Sequence, residues 1–292
     1  MVRPRNPLLT SDAGTELLPD FPPGWATGQG AQTPDEEWFL AGAALAALHP
    51  VAMGQRPAVP LALLADRLAF AAAEASLRIL GRPETLGALR DAVHLLRPGE
   101  APGPAGAVAL AWRRAGTAPV PREGRGAASP LGAAAAALER GLGEGPGDSV
   151  AALIAAETAL AAALGWPVVL PMIAPAMRRR DLTARGDALA LACARAVTVA
   201  APRAQGLAID LARRATGLRA VAPKLRSKGA DAAVALILAT DAVAPSLALA
   251  PRVRGTAVPL SDRAARRLCE RLEALGALRE LTGRASFRLY GL

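Results

Sequence analysis

The spacing of apolar residues predicts a chain built mainly of helices. From Thr33 onwards, apolar side chains recur three or four positions apart, as on one face of a helix. The run Thr33-Pro34-Asp35-Glu36 has the pattern of a capping box, and it precedes a helix over Trp38 to Leu48 that we expect to end at Pro50. Further helices are predicted over 60–80, 83–96, 104–115, 131–140, 149–164, 184–200 and 230–240.

Proline and glycine mark the breaks between these helices. Residues 97–106 contain three prolines and three glycines, which predict a stiff, sharply turned loop. The glycine-rich run 141–147 has no Lys-Ser or Lys-Thr pair and no preceding strand, so we do not expect it to hold phosphates. Three prolines in 241–260 make a long regular element there unfavourable.

The last thirty-two residues combine a helix with a hairpin. Ser261 is a suitable N-cap for a helix that ends before Gly276, and its apolar positions fall on one arc with no charged residue among them. Two short strands joined at Thr282-Gly283-Arg284 are predicted to follow, with Phe287 and Leu289 alternating against Arg288 and Tyr290. This order is typical of a recognition helix followed by a wing.

Composition supports the same fold class. About a quarter of the chain is alanine, the best helix former, and only 3% is aromatic. An all-β fold is therefore excluded. The sequence predicts a mainly α protein, an alanine-rich helical bundle with a C-terminal winged-helix-like unit ending in a β-hairpin. We divide it into an extended N-terminal arm (1–32), a helical body (33–206) and a basic winged-helix-like region (207–292).

Positive charge is concentrated in the third of these regions. The whole chain carries a formal charge of +9, of which residues 207–292 account for +8 and the first 206 residues for +1. Such segregation is typical of a surface that binds polyanions. The bias toward arginine reflects codon usage in part, but codon usage does not explain where the charge lies.

Double-stranded DNA is the partner that this charge pattern favours. The predicted helix has four arginines on its free face, where they could enter a major groove, namely Arg263, Arg266, Arg267 and Arg271. The hairpin tip carries Arg284 toward phosphates. Alternatively, the arginines only solvate an outer face and the hairpin closes the core. The candidate DNA-contacting residues are Arg263, Arg266, Arg267, Arg271, Arg284, Arg288, Lys224, Arg226 and Lys228.

Neither end resembles a targeting segment, so we expect a cytoplasmic protein. The segment from Thr158 to Met177 has no charged residue and precedes Arg178, Arg179 and Arg180. It is rich in alanine and contains three prolines, which favours a buried segment over a membrane span, with one helix ending near Gly165 and another beginning after it.

The sequence gives little support for a catalytic site or a metal site. The chain contains two cysteines, Cys193 and Cys269, and two histidines, without the spacing of zinc ligands, so no metal or cofactor is expected. Asp91 and His94 share a helical face near Arg90 and Arg97. They could act as acid and base, but a network that fixes the 97–106 loop is favoured because no nucleophile is in sight. We therefore do not expect an enzyme.

Several blocks of the sequence resemble an uncharacterised bacterial family, domain of unknown function fourteen-oh-three. The resemblance covers nearly the whole chain and implies no known activity. The blocks are Ala41-Gly42-Ala43, Leu89-Arg90-Asp91-Ala92-Val93, Pro102-Gly103-Pro104-Ala105-Gly106, Val221-Ala222-Pro223-Lys224, Lys228-Gly229-Ala230, Asp241-Ala242-Val243 and the ending from Gly276 to Leu292.

The terminal block is also similar to the winged-helix tail of Fic-type proteins, in which Leu281-Thr282-Gly283-Arg284 would lie in the wing. Fic enzymes use a His-Pro-Phe loop, whereas here His49-Pro50 is followed by Val51, so nucleotidyl transfer is not expected. The sequence thus favours a DNA-binding or regulatory module with a degenerate winged helix. The alternative is a helical scaffold that binds a protein partner or forms a homodimer.

Overall fold

A computed structural model of the chain describes residues 30–121, 129–143, 149–225 and 228–292. Most of the predicted N-terminal arm lies outside these ranges. The described residues form nine α-helices and one small antiparallel sheet, so the predicted mainly α fold is confirmed. The elements are α1 Pro34–Ala52, α2 Leu61–Ile79, α3 Leu86–His94, α4 Gly103–Thr117, α5 Pro130–Leu142, α6 Ser149–Leu164, α7 Gly186–Val221, α8 Ala230–Ile237, α9 Asp262–Ala274, β1 Arg279–Glu280 and β2 Tyr290–Gly291.

The first helix begins as predicted but ends later. Thr33 Oγ1 accepts from the Glu36 amide at 3.3 Å, and Glu36 Oε2 accepts from the Thr33 amide at 3.2 Å, which completes the capping box. Pro50 does not end α1, because the helix continues to Ala52. Pro50 lies in the last turn, and the helix continues for only two residues beyond the position where the proline removes a hydrogen bond.

Helix α7 is much longer than predicted. It runs from Gly186 to Val221 through Pro202, whereas the sequence predicts a helix over 184–200. Small side chains on its inner face, including Ala201, Ala204 and Ala208, are buried and allow close packing along the whole length. The change in charge at Leu207 therefore falls inside one continuous helix.

The body consists of helix pairs around one core. Helix α1 packs on α7, α5 packs on both α6 and α7, and α2 packs on α4. Phe70, Trp112 and Trp166 are the largest fully buried aromatic side chains in the described core. Alanine faces bring the helices close, because a small side chain lets two backbones approach.

The uncharged segment before Arg178 is buried but does not form a second helix. Helix α6 ends at Leu164, and Gly165 takes a positive φ of 69°. The following residues are irregular up to a short 3₁₀ helix, Arg179–Thr183, so the prediction of a new helix after Gly165 is wrong. Among the described residues, no helix is both long and apolar enough to cross a membrane.

Glu157 explains why this irregular segment is stable when buried. Its carboxylate accepts hydrogen bonds from the amides of Met172, Ile173 and Ala174 at 2.7–2.9 Å. Burial raises the pKa of Glu157 to about 7, although the three amide hydrogen bonds act in the opposite direction. The prolines in this segment have no backbone N–H group that needs a partner. The Glu157 carboxylate accepts hydrogen bonds from amides that would be paired within a helix.

The predicted hairpin exists, but its strands are only two residues long. Arg279 pairs with Gly291 and Glu280 pairs with Tyr290, which also bridges to Val243. The alternation predicted at the end of the chain is wrong, because Leu289 and Tyr290 are both buried. Phe287 is 63% exposed and has a positive φ of 53°. With so few paired residues, contacts with the body rather than pleating decide which side chains are buried.

The winged-helix prediction is not confirmed. A helix-turn-helix requires a helix immediately before the recognition helix. Residues 238–261 are all described, and their only helical element is one π-helical turn, Pro245–Leu249, which packs against α9. The prediction that 241–260 lacks a long regular element is confirmed. The C-terminal region thus offers one amphipathic helix and a short hairpin.

Candidate nucleic-acid interface

Helix α9 forms as its sequence predicts. Ser261 Oγ accepts from the Ala264 amide at 3.3 Å and caps the first turn. Ala265, Leu268 and Leu272 are buried against the rest of the chain, as is Cys269. The four arginines predicted for the free face, Arg263, Arg266, Arg267 and Arg271, are all exposed.

Three of these arginines line one groove. Arg263, Arg267 and Arg271 lie four positions apart, so their side chains follow one side of α9. Lys224, at the end of the 3₁₀ helix Ala222–Lys224, lines the same groove, which has a volume of about 900 Å³. We call it the α9 groove. Within the part of the chain that the structure describes, none of these four side chains has a carboxylate partner.

Arg266 lies on a different side of α9. Its Nη2 atom is 2.9 Å from Asp262 Oδ2 and donates to Ser246 Oγ at 3.3 Å. It therefore lines a separate depression between the π-helical turn and the hairpin. Helical spacing alone predicts one broad exposed face that includes Arg266. It does not show that neighbouring segments divide this face into two depressions.

The hairpin arginines are oriented differently from the prediction. Arg284 donates two hydrogen bonds of 2.8 Å to the carboxylate of Asp91 on α3, and also donates to the carbonyl of Phe287. The hydrogen bonds that Arg284 donates to Asp91 raise the pKa of Arg284 above its ordinary value. Arg288 donates to the carbonyl of Arg284 at 3.1 Å. The hairpin tip thus holds the chain together and does not present a free cation at Arg284.

The two remaining predicted DNA-contacting residues are Lys228 and Arg226, of which Lys228 does not line the α9 groove. Lys228 is exposed just after the 3₁₀ helix that carries Lys224. Arg226 lies outside the described residues.

Asp91 and His94 do not share a site. Asp91 binds Arg284, whereas His94 is 1% exposed and stacks on Phe70 with ring centroids 5.4 Å apart. Burial, together with the nearby charge of Arg113, lowers the pKa of His94 to about 3. Neither imidazole nitrogen has a hydrogen-bond partner among the described residues. The network expected between Asp91 and His94 does not form, and Asp91 holds the hairpin rather than the 97–106 loop.

Asp241 is the centre of a buried ionic network that local sequence patterns do not predict. Its buried carboxylate accepts from Arg90 Nε at 2.6 Å, from Arg90 Nη2 at 2.9 Å and from Arg67 Nε at 2.9 Å. Burial acts to raise the pKa of Asp241, but the hydrogen bond and charge of Arg90, with the charge of Arg67, hold it below its ordinary value. The available signal was a lone carboxylate inside the apolar run 234–250.

A second carboxylate extends the network. Asp66 pairs with Arg113 at 2.5 Å and accepts from the Asp241 amide at 2.8 Å. Arg67 also donates to the carbonyl of Leu292 at 2.6 Å. These contacts join α2, α3 and α4 to the end of the chain, so they position the C-terminal region and present no reactive group to solvent.

The described residues also provide no candidate metal site. Their His, Cys, Asp and Glu side chains form no group of three or more that could hold a metal ion. Cys193 and Cys269 are both buried, and burial raises the pKa of each thiol to about 12. Both are packed thiols and not reactive thiolates.

Comparison with known proteins gives a family but no activity. No curated protein matches the chain. No solved structure matches it either. One family model matches residues 10–125 and 121–292, which together cover nearly the whole sequence. The chain therefore belongs to the family described as "Protein of unknown function (DUF1403)".

Proposed function

We propose that this protein binds double-stranded DNA through the α9 groove, as a DNA-binding or regulatory module. The observation that carries the proposal is the alignment of Arg263, Arg267 and Arg271 with Lys224 along one groove without carboxylate partners in the described chain. Segregation of the net charge into residues 207–292 supports it. Arg284 is not part of the proposed interface.

The geometry favours binding to the DNA backbone over reading of bases. From Arg263 to Arg271 the row extends about 12 Å along α9 at the usual helical rise. Each DNA strand carries a phosphate about every 3.4 Å along the axis, so the row covers several phosphates. Phosphate contacts supply affinity and orientation without sequence information. Because the described residues before α9 form no helix-turn-helix with it, weak sequence preference is expected.

The test is fluorescence anisotropy of a labelled duplex titrated at a series of salt concentrations. Affinity of the native chain should fall steeply with salt because binding releases counterions. The variant R263A/R267A/R271A should bind more weakly and with a salt slope smaller by about 3, one for each lost phosphate contact. Arg284→Ala should leave affinity within about twofold, since Asp91 already holds that guanidinium.

The matched control removes three exposed arginines elsewhere, in the variant R114A/R140A/R195A. It lowers the net charge by the same amount without touching the α9 groove. Equal losses in the two triple variants would show that only overall charge matters. Unchanged binding in the α9 variant would reject the proposal outright.

A helical interaction scaffold that pairs two copies of the chain is the alternative. It is favoured by an apolar groove of about 490 Å³ lined by Trp38, Leu45 and Leu131. This reading predicts a dimer in size-exclusion chromatography with light scattering, lost in Ala46→Glu because Ala46 is exposed and lines the groove. It also predicts an eluate free of nucleic-acid absorbance at low salt, whereas the DNA proposal predicts nucleic acid that high salt removes.

A further inference from the structure

A second basic groove lies on the body, where no DNA-binding residue is predicted. It is formed by the end of α2, the segment 175–179 that leads into the 3₁₀ helix Arg179–Thr183, and the middle of α7, and its volume is about 470 Å³. Four arginines from these three elements line it: Arg78, Arg178, Arg179 and Arg203. We call it the four-arginine groove. All four side chains are exposed, so they are accessible to a ligand.

Few carboxylates offset this charge. Glu74 Oε2 is 4.0 Å from Arg78 Nη2, too far for a strong pair. Asp181 accepts from the Arg178 amide at 3.0 Å and lies 3.9 Å from Arg180, which does not line the groove. Within the described chain, the side chains of Arg178, Arg179 and Arg203 have no carboxylate partner. Guanidinium groups that share one concavity repel each other, and an anion bound among them relieves that repulsion.

The groove is also held in place before any ligand binds. Glu157 fixes the amides of residues 172–174, and Asp181 fixes the start of the 3₁₀ helix that carries Arg179. The backbone is therefore fixed at residues 172–174 and again at residue 178, which limits the movement of Arg178 and Arg179. A pre-organised site loses less entropy on binding.

The floor of the groove is apolar. Pro175, Ala176 and Met177 line it together with Ile79 and with Val199, which is 44% exposed. A fully charged ligand would gain nothing from this surface. A ligand with phosphates at one end and a flat, weakly polar group at the other would contact both parts of the groove.

We propose that the four-arginine groove binds a compact polyphosphate, of the class of nucleoside di- and triphosphates. Guanidinium groups donate paired hydrogen bonds that match phosphate oxygens, so several arginines suit adjacent phosphates of one ligand. The volume is in the range of small-molecule sites. This site is separate from the α9 groove, and the proposal does not depend on DNA binding.

Isothermal titration calorimetry with ATP and with inorganic tripolyphosphate tests the proposal. The full chain carrying R263A/R267A/R271A serves as the background, so that the α9 groove does not contribute. Both ligands should bind, with ATP the tighter because its base can cover the apolar floor. Adding Arg178→Ala and Arg203→Ala should weaken both by about tenfold or more, the effect of losing charged hydrogen bonds.

The control is Arg180→Ala in the same background, because Arg180 adjoins the groove in sequence, is exposed and lies outside the lining. It should leave affinity for both ligands within about twofold. The proposal is overturned if neither ligand binds, or if R178A/R203A and R180A weaken binding equally. It is also overturned if anionic phosphatidylserine vesicles bind in an Arg178-dependent manner while tripolyphosphate does not. If the background variant R263A/R267A/R271A loses DNA binding, that result tests the α9 groove and not the four-arginine groove.

Discussion

Arg90 and Asp241 are joined by two hydrogen bonds, of 2.6 Å and 2.9 Å, although 151 positions separate them in the sequence. Asp241 is fully buried, and Val243, two residues on, bridges to Tyr290 of the hairpin. This contact therefore fixes the end of the chain against α3. The α9 groove depends on it indirectly, because the π-helical turn that packs on α9 begins four residues after Asp241, at Pro245.

Asp241→Asn should lower the free energy of unfolding by about 3–5 kcal/mol, because it leaves the charges of Arg67 and Arg90 buried without a counter-charge. Urea unfolding followed by circular dichroism measures the change. Asp210→Asn is the control, since its pair with Arg214 is partly exposed to solvent, joins residues one helical turn apart and should be worth only about 0–1 kcal/mol. Equal effects of the two substitutions would contradict this account of the network.

Glu157 should make stability fall as pH rises. Its pKa is about 7 in the folded chain against an ordinary value of 4.5, so between these values the folded state retains a proton that the unfolded state has lost. The contribution is fully present below 4.5 and is lost by about pH 7, a change on the order of 3 kcal/mol. The variant Glu157→Gln has no such fall, as urea unfolding across this pH range should show. A fall of native size in that variant would disprove the assignment.

His94 should act in the opposite direction. Its pKa is about 3 when folded against an ordinary 6.5, so its contribution is present above 6.5 and is lost as pH falls toward 3. His94→Phe keeps an aromatic ring against Phe70 and removes two nitrogens without partners in the described chain, so we expect no loss of stability at neutral pH.

The two variants separate the two titrations. From about pH 5 to pH 6.5, stability of His94→Phe should fall because only Glu157 titrates, whereas stability of Glu157→Gln should rise because only His94 does. Slopes of the same sign in the two variants would mean that at least one of the folded pKa values is wrong.

Gly141 sets the distance between α5 and α6. A Cβ atom there would lie 2.6 Å from the Cβ and 2.8 Å from the Cα of Ala152. Gly141→Ala should therefore lower stability by about 1–3 kcal/mol through overpacking. Gly217 in α7 has open space around it, so Gly217→Ala should raise stability by about 0.5–1 kcal/mol. Thermal unfolding distinguishes the two, and a stable Gly141→Ala would show that the helices can separate at little cost.

Much of the fold could be predicted because its signals are local. The caps at Thr33 and Ser261 and the apolar arc of α9 involve residues within a few positions of each other, and the structure confirms all three. The extent of α7 through Pro202 could not be predicted, because packing along its alanine face stabilises the helix against a local breaker.

The candidate site shows the same division between local and distant effects. Helical spacing correctly places Arg263, Arg267 and Arg271 on an exposed face. It does not show that Lys224 lines the α9 groove, because Lys224 lies outside that helix. Nor does it show that Arg178 and Arg203, from two different elements, line the four-arginine groove together. Nor does local spacing identify Asp241 as the partner of two distant arginines.

The sequence by itself determined the helical composition, the amphipathic α9 and the concentration of positive charge after residue 206. Only the tertiary structure decided which arginines remain available to an anion. Arg284 is bound by Asp91, 193 positions away, whereas Arg267 has no carboxylate partner in the described chain. Charge pairing over such distances depends on how the helices pack, and periodicity within one segment carries no information about it.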